Sequence, residues 1–224
     1  MIYLSLLELS PRSRQVQAEL ANPYEMHRTL SKAFTDSRED GKSAEDGGEG
    51  VWEAARCLFR VDEAAASPHL RVLVQSRVRP DWDGLTVRPD YLAAAPCVKT
   101  WEPAFRVGQT LAFRLRANPT KKEDGRNSGR KNGRRLPLLT EADRLTWLAR
   151  KAETGGFGLL RTIVTDDDPV LCKTTAGHGA TLNAVRFDGI LRVRDPEAFT
   201  RTVENGLGSA KAFGFGLLSV ATAK

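Results

Sequence analysis

Twice along this chain of 224 residues, short β-favouring runs and helical segments follow one another in the same order. The order is strand, helix, strand, strand, helix, strand, and it allows few folds, because each helix must bury its apolar stripe on one face of a sheet built from the strands around it. The first round starts with Ile2 to Leu9, ended by Ser10-Pro11, and continues with helical pattern over Arg12 to Leu20 and Asn22 to Phe34. The second of these helices has a marked start: Asn22 is suited to the N-cap, Pro23 to the first helical position, and Glu25 to the third position of a capping box. Asp36 to Gly50 is acidic, Gly-rich and without apolar residues, which predicts a surface loop. Val51 to Val61 and Leu70 to Ser76 then read as strands, a weak helix follows to about Ala95, and Val98 to Phe105 closes the round.

The second round takes Gln109 to Ala117 as a strand and Thr140 to Glu153 as a capped amphipathic helix stopped by Gly155-Gly156. Phe157 to Val164, Pro169 to Thr175 and Leu182 to Val193 offer β segments, Pro196 to Glu204 a helix, and Phe213 to Ala221 a closing strand. No residue-level repeat accompanies this order. The expectation is an α+β chain of tandem ferredoxin-like (RRM-like) βαββαβ folds, divided into residues 1–105 and 106–224.

Charge is distributed unevenly. The chain carries +6, yet between Arg106 and Arg135 ten Lys and Arg stand against Glu123 and Asp124, so that window holds +8 and the remainder −2. Localised positive charge points to a polyanionic partner, with nucleic acid ahead of a membrane surface, or to a solvated loop. Cys57, Cys97 and Cys172 form no pair spaced for zinc or for a disulfide framework, which fits a reducing cytoplasm. The N-terminal apolar run is too short to span a bilayer and lacks the features of a signal peptide.

Of three histidines, His69 follows Ser-Pro in a turn and His178 sits in a Gly-flanked hairpin tip, whereas His27 lies on the well-started helix. Tyr24, three residues before it, shares its face, and Lys32 projects nearby. A His and Tyr so placed serve either as packing against the first strand or as proton-transfer groups, because a helix N-terminus disfavours the imidazolium and moves its pKa toward a useful range. The segment from Gly206 to Ser219 holds Gly206, Gly208, Lys211, Gly214 and Gly216. It is either a tight helix-to-strand turn or a loop whose N–H groups approach phosphate, and it matches neither a dinucleotide fingerprint nor a Walker loop. Asp166-Asp167-Asp168 reads as a solvated turn, since consecutive side chains diverge from any single ion. The absence of the motifs of zinc hydrolases and α/β-hydrolases argues against those classes, and the aromatic signature of sheet-stacking RNA binders is missing too.

Taken together, LANPYEMHRTLSKAF at 20–34, VLVQS at 72–76, FRLRANPTKK at 113–122 and GLGSAKAFGFGLLSVA at 206–221 resemble the CasE family, the repeat-cleaving nucleases of type I-E CRISPR systems. The resemblance spans both halves of the chain. It implies two ferredoxin-like folds facing each other across a basic cleft, and a metal-independent endoribonuclease with no cofactor that cuts below each CRISPR repeat hairpin. It also implies that the guide RNA is retained and that the partners are other subunits of Cascade, with no membrane involved. Catalytic roles carry over to His27, Tyr24 and Lys32. RNA contacts are expected from Arg28, Ser31, Arg116, Lys121, Lys122, Lys173, Lys211 and the glycines 206, 208, 214 and 216. Where relatives have a strongly basic hairpin, Leu171 to Ala180 offers only Lys173 and His178.

Overall fold

The computed structural model describes residues 1–37, 54–63, 68–88, 90–123, 135–173 and 179–223. Most of the acidic loop, most of the basic run after Glu123 and the hairpin tip with His178 lie outside the described residues. The N-terminal half contains β1 (Ile2–Leu9), α1 (Arg14–Ala21), α2 (Pro23–Ser31), β2 (Leu58–Glu63), β3 (Leu70–Ser76), the short α3 (Asp83–Thr86) and β4 (Cys97–Trp101). The C-terminal half contains β5 (Thr110–Ala117), β6 (Thr120–Lys122), β7 (Arg135–Pro137), α4 (Glu141–Thr154), β8 (Phe157–Asp166), β9 (Val170–Lys173), β10 (Gly179–Leu182), β11 (Val185–Val193), α5 (Pro196–Asn205) and β12 (Leu218–Thr222).

Each half forms one four-stranded antiparallel sheet, in the orders β2-β3-β1-β4 and β12-β5-β11-β8. Numbered among its own four strands and read from β4 or from β12, each sheet runs fourth, first, third, second, the ferredoxin-like order expected from the sequence. The alternation along the strands gives each sheet one apolar face. In the first, Leu7, Leu9, Phe59, Val72 and Val74 pack with Met26 and Leu30 of α2. In the second, Phe113, Leu115, Phe187 and Leu191 pack with Trp147 and Leu148 of α4 and Phe199 and Val203 of α5.

Several boundaries differ from the sequence reading, for local reasons. Asn22 provides no side-chain cap for α2; it also closes α1, its N–H donating to Ala18 O, and Glu25 pairs with Arg28 at 3.1 Å, so no capping box forms. The helix expected to reach Phe34 tightens into a 3₁₀ turn from Lys32. The strand expected from Val51 begins at Leu58, after Arg56 in a left-handed conformation (φ 49°) that interrupts extended chain. β4 ends at Trp101 just before Glu102-Pro103, because proline cannot donate to a ladder. The segment expected over Leu182 to Val193 divides at Asn183-Ala184 into a hairpin arm, β10 on β9, and the long sheet strand β11. The closing strand begins only at Leu218, since 211–213 form a 3₁₀ turn and Gly214 and Gly216 have positive φ.

The two halves are clasped by polar side chains, Arg60 and Gln75 buried and Arg77 exposed. Arg60 on β2 is almost wholly buried; its guanidinium holds both carboxylate oxygens of Asp62 and donates to Ser219 Oγ on β12 at 2.9 Å. Gln75 on β3 donates to Val203 O at 2.9 Å and Glu204 O at 3.2 Å, and Arg77 pairs with Glu204 at 2.7 Å. Removing Arg60 takes the bidentate partner from Asp62, which keeps only Arg114 at 3.9 Å, and breaks the bond to Ser219, so Arg60→Ala should lower the free energy of unfolding by on the order of 2–4 kcal/mol. Urea melts of the two proteins measure it, and a loss of about 0–1 kcal/mol, the size of an exposed ion pair, would deny the clasp its role.

Candidate active site

α2 presents Met26 and Leu30 to the core and turns His27 toward the C-terminal half, where the 3₁₀ turn Lys211–Phe213 packs on it. His27 is 1% exposed. Its ring centroid lies 5.8 Å from that of Tyr24, one helical turn earlier, and Tyr24 in turn lies 5.9 Å from Phe213. The imidazole thus sits at the floor of a recess of about 750 Å³ lined by Arg56, Cys57, Asn205, Gly208, Ser209 and Lys211, among others. Burial holds the His27 pKa down at about 4, so the ring is neutral at neutral pH and able to accept a proton.

Lys211 comes from the glycine loop. Its ammonium donates to Asn205 O, at the carboxyl end of α5, at 2.7 Å, where the helix dipole favours a cation. Burial, and after it the nearby Arg56 and Lys151, lower its pKa. The loop depends on its glycines for close approach. A Cβ on Gly206 (φ +71°) would come within 2.6 Å of Gly216 O, and one on Gly216 (φ +89°) within 2.8 Å of Leu207 O. The N–H groups of Gly206, Gly214 and Gly216 donate to Thr202 O, Lys211 O and Arg116 O. These three N–H groups are thus engaged within the protein, where the glycines shape the turn.

The other expected site residues fall elsewhere. Lys32 and Arg28 are exposed and line a different recess with Gln15, Glu25 and Arg88, on the side of α2 away from Lys211. Ser31 is buried, its hydroxyl donating back to His27 O at 2.8 Å, so it braces the helix. Arg116 lies in the groove between the halves, paired with Asp167 at 2.9 Å and stacked 4.9 Å from the centre of the Phe215 ring. Lys121 and Lys122 are exposed on the β6–β7 hairpin, and Lys173 pairs through its backbone with Gly179. The groove is not basic: Arg60, Arg114, Arg116 and Arg186 there face four aspartates and Glu19. Nor is the Asp166–Asp168 turn merely solvated, because Asp166 pairs with Arg144 at 2.7 Å and Asp167 with Arg116. Among the described residues no His, Cys, Asp or Glu group could hold a metal ion, and no helix is long and apolar enough to cross a membrane.

Sequence reasoning did not single out Arg56 or Ser209 as site residues. Arg56 carries no motif, and only its left-handed turn before β2 aims it at the recess. Cys57 beside it is buried, which pushes its thiol pKa up and leaves it a packing residue.

The model of a family described as CRISPR associated protein matches residues 2–222. The CRISPR-associated endoribonuclease Cse3 of Thermus thermophilus is 38% identical over 98% of this chain and all of its own length. The Cascade subunit CasE of Escherichia coli K12 is 31% identical over 77% of this chain and 89% of its own. The solved structure of CRISPR endoribonuclease Cse3 bound to a 19 nt RNA superposes with a TM-score of 0.79 at 37% identity, covering 98% of this chain and 99% of that one. The chain belongs to the CasE family of CRISPR-associated proteins.

The buried imidazole makes stability depend on pH. In the unfolded chain it titrates near 6.5 and in the folded protein near 4, so its contribution is complete above pH 6.5 and is lost as pH falls toward 4. The loss should reach ~3 kcal/mol at most for a shift of this size. Unfolding of wild type and His27→Asn at several pH values isolates it: the difference between the two should change across this window, and parallel curves would show an unperturbed imidazole.

Proposed function

We propose that this chain is a metal-independent endoribonuclease that cuts CRISPR precursor RNA at the base of the repeat hairpin, keeps the guide RNA and works in the cytoplasm as a subunit of Cascade. The observation that carries the mechanism is the meeting of His27 and Lys211 in one recess, with Tyr24 at the imidazole. Residues 1–105 act as the domain that bears Tyr24 and His27, and 106–224 as the domain that brings the loop to them.

The nucleophile is the 2′-hydroxyl of the ribose 5′ of the cut. Neutral His27 accepts its proton as O2′ bonds to phosphorus, the P–O5′ bond breaks in line, and the departing 5′ oxygen takes up a proton. The products are a 2′,3′-cyclic phosphate and a 5′-hydroxyl. Tyr24 orients the 2′-hydroxyl against the imidazole. Charge gathers on the phosphorane oxygens, and a fixed, partly desolvated ammonium stabilises it better than a solvated one. Lys211 has that setting, while Lys32, first expected in the role, lies in the other recess. Bringing RNA phosphate to the recess raises the His27 pKa toward neutrality, which makes the proton acceptor stronger once substrate is bound.

Single-turnover cleavage of a labelled repeat RNA tests the reading. His27→Ala should lose ~10² to 10⁴ in rate while retaining RNA affinity, the usual cost of removing a general base. Lys211→Ala should lose rate by more than Lys32→Ala, and EDTA should change nothing. Wild-type cleavage by His27→Ala would remove the residue from the mechanism; tight binding by wild type without any cutting would make the protein a passive RNA-binding subunit.

A further inference from the structure

A second cation faces the recess of His27 and Lys211: Arg56, on the chain entering β2. Its backbone is left-handed (φ 49°), a conformation that a residue with a Cβ adopts only at a cost, and Ala210 (φ 63°), just before Lys211, shares it. Of the three non-glycine residues with positive φ among those described, these two line this recess. Such strain persists only where the surroundings enforce it. Around Arg56 they do so: Ala55 and Cys57 on either side are buried, and Ala55 O accepts from Arg77 N at 2.8 Å, where β3 has just ended. Arg77 in turn pairs with Glu204 of α5, one residue before the Asn205 carbonyl that holds Lys211. The two cations, one from each half of the chain, are thus both tied to the carboxyl end of α5. No acid offsets them. The described residues that line the recess include neither Asp nor Glu, and Arg56 makes no ion pair among the described residues. Its charge is, after burial, a cause of the lowered Lys211 pKa. Like charges held together in a partly desolvated recess repel until an anion comes between them.

We infer that Arg56 is a further catalytic residue of the proposed cleavage, its guanidinium gripping the scissile phosphate together with Lys211. A guanidinium presents paired N–H donors that match two phosphate oxygens, whereas an ammonium acts as a point charge. Arg56 therefore fixes the direction of the phosphate as well as adding charge. It exchanges no proton, because a guanidinium stays charged throughout the working pH range. As O2′ bonds to phosphorus, the phosphorane oxygens carry more negative charge than those of the diester, so both cations hold the transition state more tightly than the bound substrate. The left-handed turn is what aims Arg56 inward, and the strain it carries is set by the recess and not by the fold of β2. The inference rests on the proposed RNA cleavage and adds a residue to it.

The test uses the full chain with Arg56→Gly and Arg56→Lys, in single-turnover cleavage of repeat RNA at saturating protein. Glycine takes positive φ without penalty, so Arg56→Gly should melt close to the wild-type temperature. Its saturated rate should nevertheless fall ~10²-fold, the size of losing one preorganised donor to a developing charge. RNA affinity should fall only a few-fold, with the slope of log affinity against log salt lowered by about one, as for a single lost phosphate contact. Arg56→Lys, which keeps the charge without the fork, should cut at a rate between the two. Sulfur in place of each non-bridging oxygen of the scissile phosphate supplies a readout that a structural role would not move: wild type should be slowed more at one oxygen than at the other, and Arg56→Gly should narrow that difference. Equal saturated rates in wild type and Arg56→Gly, whether or not affinity falls, would overturn the inference. So would an undiminished sulfur difference, or an Arg56→Gly protein that melts far below wild type, since the side chain would then serve the fold. Wild type is measured in parallel, and its failure to cut repeat RNA would sink the proposed function and this inference with it.

Discussion

The last turn of α5 is satisfied from outside the helix, and the recess depends on how. A helix leaves its final carbonyls without intrahelical partners, and burial would make them costly. Here Gln75 of the N-terminal sheet donates to those of Val203 and Glu204, and Lys211 of the following loop to that of Asn205. One set of hydrogen bonds thus joins the two halves, fixes where the chain leaves α5, and draws Lys211 back against α2. Gly206 and Gly216 make the return possible, because their left-handed backbones and missing Cβ atoms let the two arms of the loop touch. Arg60 clasps the same boundary from β2. His27 lies buried where these constraints meet, and its depressed pKa follows from that burial.

The element order was readable because it rests on periodicity and punctuation, which are local. Thr140 caps α4 and accepts from Asp143 N, Pro23 and Pro196 open α2 and α5, and Gly156 takes positive φ after α4, all as their residue types suggest. Boundaries slipped where a single residue had to choose between two duties. Asn22 ends one helix and begins the next, and Arg56 turns the chain before β2. Neither choice is encoded in a period of two or 3.6 residues.

The site was legible in part. Tyr24 and His27 stand out because a helical face brings them together from three residues apart, and the glycine loop stands out by composition. What joins them is the packing of the 3₁₀ turn Lys211–Phe213 on α2, across nearly the whole length of the chain, and nothing local records it. Lys32 and Lys211 look equally suitable as text; only the packing of the 3₁₀ turn on α2 separates them. The same holds for charge. Nothing local records that Asp167 stands beside Arg116.

The central claim is that the scissile phosphate lies between His27 and Lys211. A crystal structure of the chain with repeat RNA carrying a 2′-deoxyribose 5′ of the cut, which holds the uncut strand in place, tests it most directly. The account predicts that phosphate in the recess between α2 and the glycine loop, with an imidazole nitrogen of His27 facing the C2′ position and the Lys211 ammonium facing a phosphate oxygen. Finding the scissile phosphate instead beside Arg28 and Lys32 on the far side of α2, with the His27 recess unoccupied, would contradict it.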